Sequence, residues 1–217
     1  YSTLLVPYGK RSFLTLRDGT KVWINSGTEV RFPVNMEGKE RSIYVDGEIY
    51  IEVAKDKERP FYVHTSGFDV RVYGTKFNVT SYKADKEKSV VLVEGSVSVC
   101  SKEETKEKEA KEIFLHPDQM YHTTNRGPMI THVNALQYIT WKDGIWQFTS
   151  ESLESIALRL SRYYGVDIHC DEKTAVKSCT GKLILFDDVD KTLRIIEEIF
   201  GVRYETNQNE IIISMNP

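Results

Sequence analysis

The sequence contains no long apolar run. Its densest apolar stretches are as short as Ile211, Ile212 and Ile213. A membrane-spanning helix needs roughly 20 such residues, so no segment of this chain is expected to cross a bilayer. An excess of charge is missing too. Lys and Arg number 29 against 32 Asp and Glu, a net charge of −3 spread along the whole length. No basic face presents itself to phosphate backbones or anionic lipid, and nucleic acid is not an expected partner.

Cysteine is scarce. Three residues are too few for a disulfide scaffold, and none lies in a metal-type C-x-x-C pair. Cys170 ends one expected strand and Cys179 begins the next, close enough in sequence to form a disulfide, which leaves Cys100 free. A register difference of one residue would turn the two sulfurs to opposite faces.

Catalytic signatures are also lacking. The chain has no Gly-x-Ser-x-Gly elbow, P-loop, dinucleotide fingerprint or His-Glu-x-x-His helix. His116, His122 and His132 match no common zinc spacing, and His64 and His169 sit in strand patterns. Asp187 and Asp188 read as a helix cap, and Glu197 with Glu198 as the polar face of that helix, rather than as acid–base pairs. Asn78 begins an Asn-x-Thr sequon, a pattern frequent by chance. No catalytic residue, metal ligand or cofactor is expected.

What is present is the composition of a folding protein. The 217 residues are 40% apolar and 28% charged, enough for one large or two modest domains. From residue 11 to about 124 the chain alternates in short runs rich in Val, Tyr, Phe and Ile, the pattern of half-buried strands. The clearest are residues 21–25, 42–53, 61–65, 69–82 and 89–99. Trp23, Tyr44, Tyr50, Phe61 and Phe77 alternate within these runs and read as core rather than as a sugar-stacking platform. A Val-x-Gly figure recurs at Val45, Val72 and Val93, where glycine lets the chain turn a corner. A sandwich, a roll and a solenoid all remain open. Residues 102–112 are almost entirely charged and are expected to form a mobile loop.

After Trp141 the period changes. Leu153, Ile156, Ala157, Leu160 and Tyr164 fall on one helical stripe, with Ser150 as its cap and Gly165 as its stop. Val189, Leu193, Ile196 and Phe200 form a second stripe, capped by Asp187 or Asp188 and stopped by Gly201. The two helices superpose with an offset of about 36 residues, which points to a duplicated unit. With strands at 144–149, 166–170, 179–186, 202–206 and 210–214, the order is βαββαββ. The fold class is therefore mainly β: an all-β domain over residues 1–140, then a small α+β domain over 141–217.

Several segments resemble the extracytoplasmic part of FecR-family anti-sigma regulators, in the family's order. They are Val6-Pro7-Tyr8-Gly9, Asp18-Gly19-Thr20-Lys21-Val22-Trp23-Ile24-Asn25, the stretch from Gly47 to Asp56, Arg59-Pro60-Phe61, Gly74-Thr75-Lys76-Phe77-Asn78-Val79 and Val93-Glu94-Gly95. The tail from Trp141 through Thr180-Gly181 is similar to the short N-terminal domain of secretins and TonB-dependent receptors. His116-Pro117-Asp118-Gln119 departs from the pattern, since the family more often has Gly after Pro.

The resemblance implies a sensor half whose cytoplasmic sigma-binding segment and transmembrane helix precede Tyr1. It also implies a periplasmic location. The implied partners are the signalling domain of a TonB-dependent transporter and, through the upstream segment, a cytoplasmic sigma factor. A periplasmic glycan-binding or glycan-processing protein is the rival reading, and a ring-forming assembly module a third. A strand at the end of the sequence reads as a sheet edge, so Ile211, Ile212 and Ile213 are the expected place for a partner strand to add.

Overall fold

The computed structural model describes residues 1–102, 112–124, 127–186, 188–208 and 210–215. The charged stretch expected to be a mobile loop lies, but for its two end residues, outside the described residues. Among the described residues the chain opens with strands β1 (Ser2–Val6), β2 (Ser12–Thr15), β3 (Lys21–Ile24), β4 (Thr28–Phe32), β5 (Arg41–Glu52), β6 (Phe61–His64) and β7 (Phe68–Val72). It continues with β8 (Lys76–Ser81), β9 (Ser89–Glu94), β10 (Val97–Ser101), β11 (Glu112–Leu115), β12 (Gln119–Thr124) and β13 (Gly127–His132). The strand-rich region thus starts earlier and ends later than the alternation suggested. Among the described residues β13, which carries Pro128, pairs with β12 alone, and an edge strand tolerates a missing N–H.

Of the three architectures left open, the chain adopts one curled sheet with two leaves that share β5. The first half of β5 pairs with β4 and, in parallel, with β6. Its second half pairs with β3 and β8. One leaf runs β1-β4-β5-β6-β7-β10-β11 and the other β2-β3-β5-β8-β9-β12-β13. Val30, Ile43, Phe61 and Val70 from the first leaf meet Val22, Ile49, Phe77 and Val79 from the second in a single buried cluster. Each such side chain contributes roughly 1.5–3 kcal/mol through burial, so this cluster holds the leaves together.

The recurring Val-x-Gly marks the corners. Gly47 lies at the point where β5 passes from one leaf to the other, Gly74 between β7 and β8, and Gly95 between β9 and β10. Gly47 has φ +138, and a Cβ there would meet the Thr28 hydroxyl at 2.3 Å. Gly74 has φ +148 and lies so close to the Lys55 backbone that a Cβ would come within 2.8 Å of its Cα. Only glycine supplies both the backbone angle and the clearance.

Of the aromatics assigned to the core, Phe61, Phe77 and Tyr50 are buried. Trp23 is half-buried, and Tyr44 is 37% exposed on the outer face of its leaf. Strand alternation places Tyr44 opposite in phase to the buried Ile43 and Val45, which is why it points out.

Cα packing separates two units, Tyr1–Val6 with Arg11–Ile139 and Pro7–Lys10 with Thr140–Pro217. Thr140 and the four residues Pro7–Lys10 thus group with the second unit. Within the second unit the Gly9 N–H donates to the Arg162 carbonyl at 2.9 Å, so the Pro7-Tyr8-Gly9 part of the resembling segment serves this unit.

After a 3-10 helix at Ala135–Asp143 come β14 (Ile145–Ser152), α1 (Leu153–Tyr164), β15 (Asp167–Cys170), α2 (Glu172–Ala175), β16 (Ser178–Ile184), α3 (Val189–Phe200), β17 (Val202–Asn207) and β18 (Glu210–Met215). This is the expected order with one added helical turn, α2. The α1 cap is Ser152 rather than Ser150, its hydroxyl accepting the Ser155 N–H at 3.2 Å. A bulge between Phe148 and Glu151, with Ser150 at φ +50, carries β14 three residues further than the pattern suggested. Asp188 caps α3, and Gly165 and Gly201 close the two long helices in the left-handed conformation. Leu153, Ile156 and Leu160 of α1 and Leu193, Ile196 and Phe200 of α3 share one core with Trp146, Phe148, Leu183, Ile211 and Ile213.

Candidate protein-docking surface

The polar residues of the recurring segments converge on two buried nodes in the first unit. At one, Arg41 is 1% exposed and donates from Nη1 to Asp18 Oδ2 at 2.8 Å and to the Ala54 carbonyl at 2.9 Å. Its Nη2 donates to the Arg59 carbonyl at 2.9 Å. The Thr20 hydroxyl donates to Asp18 and accepts the Ala54 N–H. Asp56 binds Arg59 Nε at 2.7 Å, and Arg59 Nη1 reaches the Met36 carbonyl at 3.0 Å. The Asp-Gly-Thr, Ala-Lys-Asp and Arg-Pro-Phe segments are thereby tied to one guanidinium.

At the other node the buried Glu48 carboxylate accepts from Asn25 Nδ2 at 2.7 Å, Asn78 Nδ2 at 3.1 Å and the Thr80 hydroxyl at 3.2 Å. Asn78 is only 1% exposed, so its amide is structural and the sequon is closed to modification. Sequence reasoning missed both nodes. Arg41 sits between Glu40 and Ser42 and reads as solvated, and its ligands come from distant positions.

The aromatic rings on the outer faces largely engage one another. Tyr44 stacks on His64 at 4.8 Å and carries Arg31 at 4.4 Å from its centre. Trp23 lies between Phe13 and Tyr50 at 4.8 and 5.2 Å. His64 Nδ1 is 2.9 Å from Asp69, which Lys102 also reaches at 2.7 Å. Burial pushes the Asp69 carboxyl up, but the hydrogen bonds from His64 and Lys102 outweigh it and hold the group below the usual carboxylate range. Among the described residues no group of three His, Cys, Asp or Glu side chains could hold a metal ion. No described helix is long and apolar enough to cross a membrane.

The structure corrects the expected docking edge. β18 is the centre of its sheet, parallel to β15 on one side and antiparallel to β17 on the other. Ile211 and Ile213 are buried and Ile212 is half-buried, so none of the three lies on an open edge. An unbroken apolar run is the mark of a strand flanked on both sides, a signal that the terminal position obscured.

Cys170 lies opposite Ile213 on β15, whereas Cys179 lies opposite Glu151 on β16, in the other sheet. Both are free thiols in this structure, as is Cys100, so the expected disulfide is not formed. Burial first, then the Glu154 and Asp171 carboxylates, push the Cys170 thiol up to about 11. Burial raises Cys179 as well.

The open edges of the second unit belong to other strands. β15 and β17 flank β18, while among the described residues β14 and β16 pair only with each other. β17 carries Arg203 and Glu205, and β15 carries Asp167 and His169, charges that discourage pairing. β16 is different. Lys182 is its only charged residue, Ile184 is 54% exposed, and Phe186 just beyond it is 37% exposed.

The departure after Pro117 is accommodated. Asp118 adopts φ +62, the conformation glycine would take, and its Oδ1 accepts the Ala135 N–H at 3.0 Å. Asp tolerates this region because its side chain can bond locally, so the turn survives without glycine.

Comparison with known proteins agrees with this arrangement. The family model described as FecR protein matches residues 2–98, and that described as FecR, C-terminal matches residues 145–213. No curated protein matches the chain. Two crystal structures of a candidate anti-sigma factor from Parabacteroides distasonis ATCC 8503 are similar over the whole chain. One has 25% identity, a TM-score of 0.91 and 100% coverage of both chains. The other has 25% identity and a TM-score of 0.89, covering 100% of this chain and 99% of that one. With both halves matched in order and the fold shared end to end, the chain belongs to the FecR family of anti-sigma regulators.

Proposed function

We propose that this chain is the extracytoplasmic, non-catalytic sensor part of a transmembrane anti-sigma regulator. On this reading it is periplasmic and relays a signal from a TonB-dependent outer-membrane transporter. A segment upstream of Tyr1 holds the cytoplasmic sigma factor. The observation that carries the reading is how the polar residues are used. Asp18, Arg41, Glu48 and Asn78 are consumed by hydrogen bonds that lock strands together, and a relay needs a firm scaffold with a surface for a protein partner.

The second unit supplies that surface. The transporter's small signalling domain adds a strand to the open edge of β16, with Ile184 and Phe186 as apolar anchors, in place of the central β18. Titrating this chain calorimetrically with the signalling domain of its transporter tests the proposal. Saturable binding that Ile184→Asp weakens at least tenfold is expected. No heat of binding with the unaltered chain would overturn it.

A further inference from the structure

We propose that the first unit carries a second protein-binding site, a cationic cleft that takes an acidic segment of a partner with an apolar or aromatic residue among its carboxylates. The proposal does not rest on the transporter reading, because the cleft lies wholly in the first unit. It has a volume of about 360 Å³ and is lined by Lys55, Lys57, Arg71, Tyr73, Ser98 and Phe114, among others.

The fold builds the cleft deliberately enough to trace. Arg71, Ser98 and Phe114 lie side by side across β7, β10 and β11, on the outer face of their leaf. The wall is the segment after β5, held against the β7–β8 corner by the Val53 N–H to the Thr75 carbonyl at 3.0 Å and the Asp56 N–H to the Tyr73 carbonyl at 2.9 Å. Gly74 permits this approach. Asp56 turns away to Arg59, so the wall presents Lys55 and Lys57, both exposed, with no acid among the lining residues. Tyr73 and Phe114, 45% and 57% exposed, add large apolar surface beside the cations.

The cleft already shows which group it accepts. Glu112 places its carboxylate on Arg71 at 2.6 Å and on the Ser98 hydroxyl. Arg71 is thereby neutralised by Glu112, so the cations that meet a partner carboxylate are Lys55 and Lys57. Charge complementarity therefore selects an acidic occupant, and the exposed rings favour one with an apolar side chain that can be desolvated against them.

The test uses the peptide acetyl-Glu-Glu-Phe-Glu-Glu-amide, titrated into the isotope-labelled chain and followed by amide chemical shifts. Saturable shifts at Gly74, Ser96, Ser98 and Phe114 are expected. The double variant Lys55→Glu/Lys57→Glu should raise Kd at least tenfold with an unchanged spectrum elsewhere. The charge-matched control Lys39→Glu/Lys86→Glu should change it less than twofold. Scattered or absent shifts, or equal loss in both double variants, would overturn the site. Equal saturation by tripolyphosphate would overturn the acidic-protein assignment in favour of a phosphate ligand.

Discussion

Arg41 Nη1 and Asp18 Oδ2 meet at 2.8 Å with side chains 1% and 5% exposed, a fully desolvated ion pair joining the start of β5 to the turn before β3. Breaking such a pair leaves one charge buried and uncompensated. Arg41→Ala is therefore expected to lower the unfolding free energy by about 3–5 kcal/mol. Asp18→Asn, which keeps the shape but leaves the Arg41 guanidinium buried without its counter-charge, should also cost about 3–5 kcal/mol. Urea unfolding checks both. A loss under about 1 kcal/mol for Arg41→Ala would mean the node is not what ties the three segments together.

The left-handed Asp118 makes a graded prediction. Asp118→Gly removes the backbone cost but also the bond to Ala135, so stability should stay within about 1 kcal/mol of the parent. Asp118→Ala keeps the cost and loses the bond, and should be less stable than either by about 1–2 kcal/mol. Alanine equal to glycine in thermal unfolding would contradict this.

Asp69 predicts an acid limb. Its folded pKa is depressed, so its contribution is present above the unfolded carboxyl value near 3.9 and is lost as pH falls through the folded value. The drop in urea midpoint between pH 5.5 and pH 3 should be smaller in Asp69→Asn than in the parent. An identical drop would show that the contacts with His64 and Lys102 contribute nothing.

The thiols are testable by mass. Alkylation of the denatured chain without reductant should add three groups, because all three cysteines are free. In the native chain at pH 8, Cys170 should react slowly and speed up nearly tenfold per pH unit up to about pH 10, given its raised pKa of about 11. A product carrying a single adduct would instead show that two of the three cysteines are joined.

Local chemistry made the second unit readable. α3 announces itself by an apolar stripe from Val189 to Phe200, an aspartate before it and a glycine after it, and each signal acts within a few residues. The corners of the first unit were visible as Val-x-Gly, though not which leaf each strand joined. What stayed hidden depends on pairing between distant segments. β18 looks like an edge until β15, about 40 residues earlier, lies beside it in parallel. The cationic cleft was equally hidden, because Lys55 and Arg71 become neighbours only when the chain turns at Gly74.

The central claim is that recognition belongs to an open edge of the second unit, and hydrogen exchange of the chain with and without the transporter's signalling domain tests it most directly. The account predicts slowed exchange along residues 178–184 of β16, with the amides around Arg41 and Glu48 unchanged. Slowed exchange confined to the first unit, with β16 unaltered at saturating partner, would contradict it.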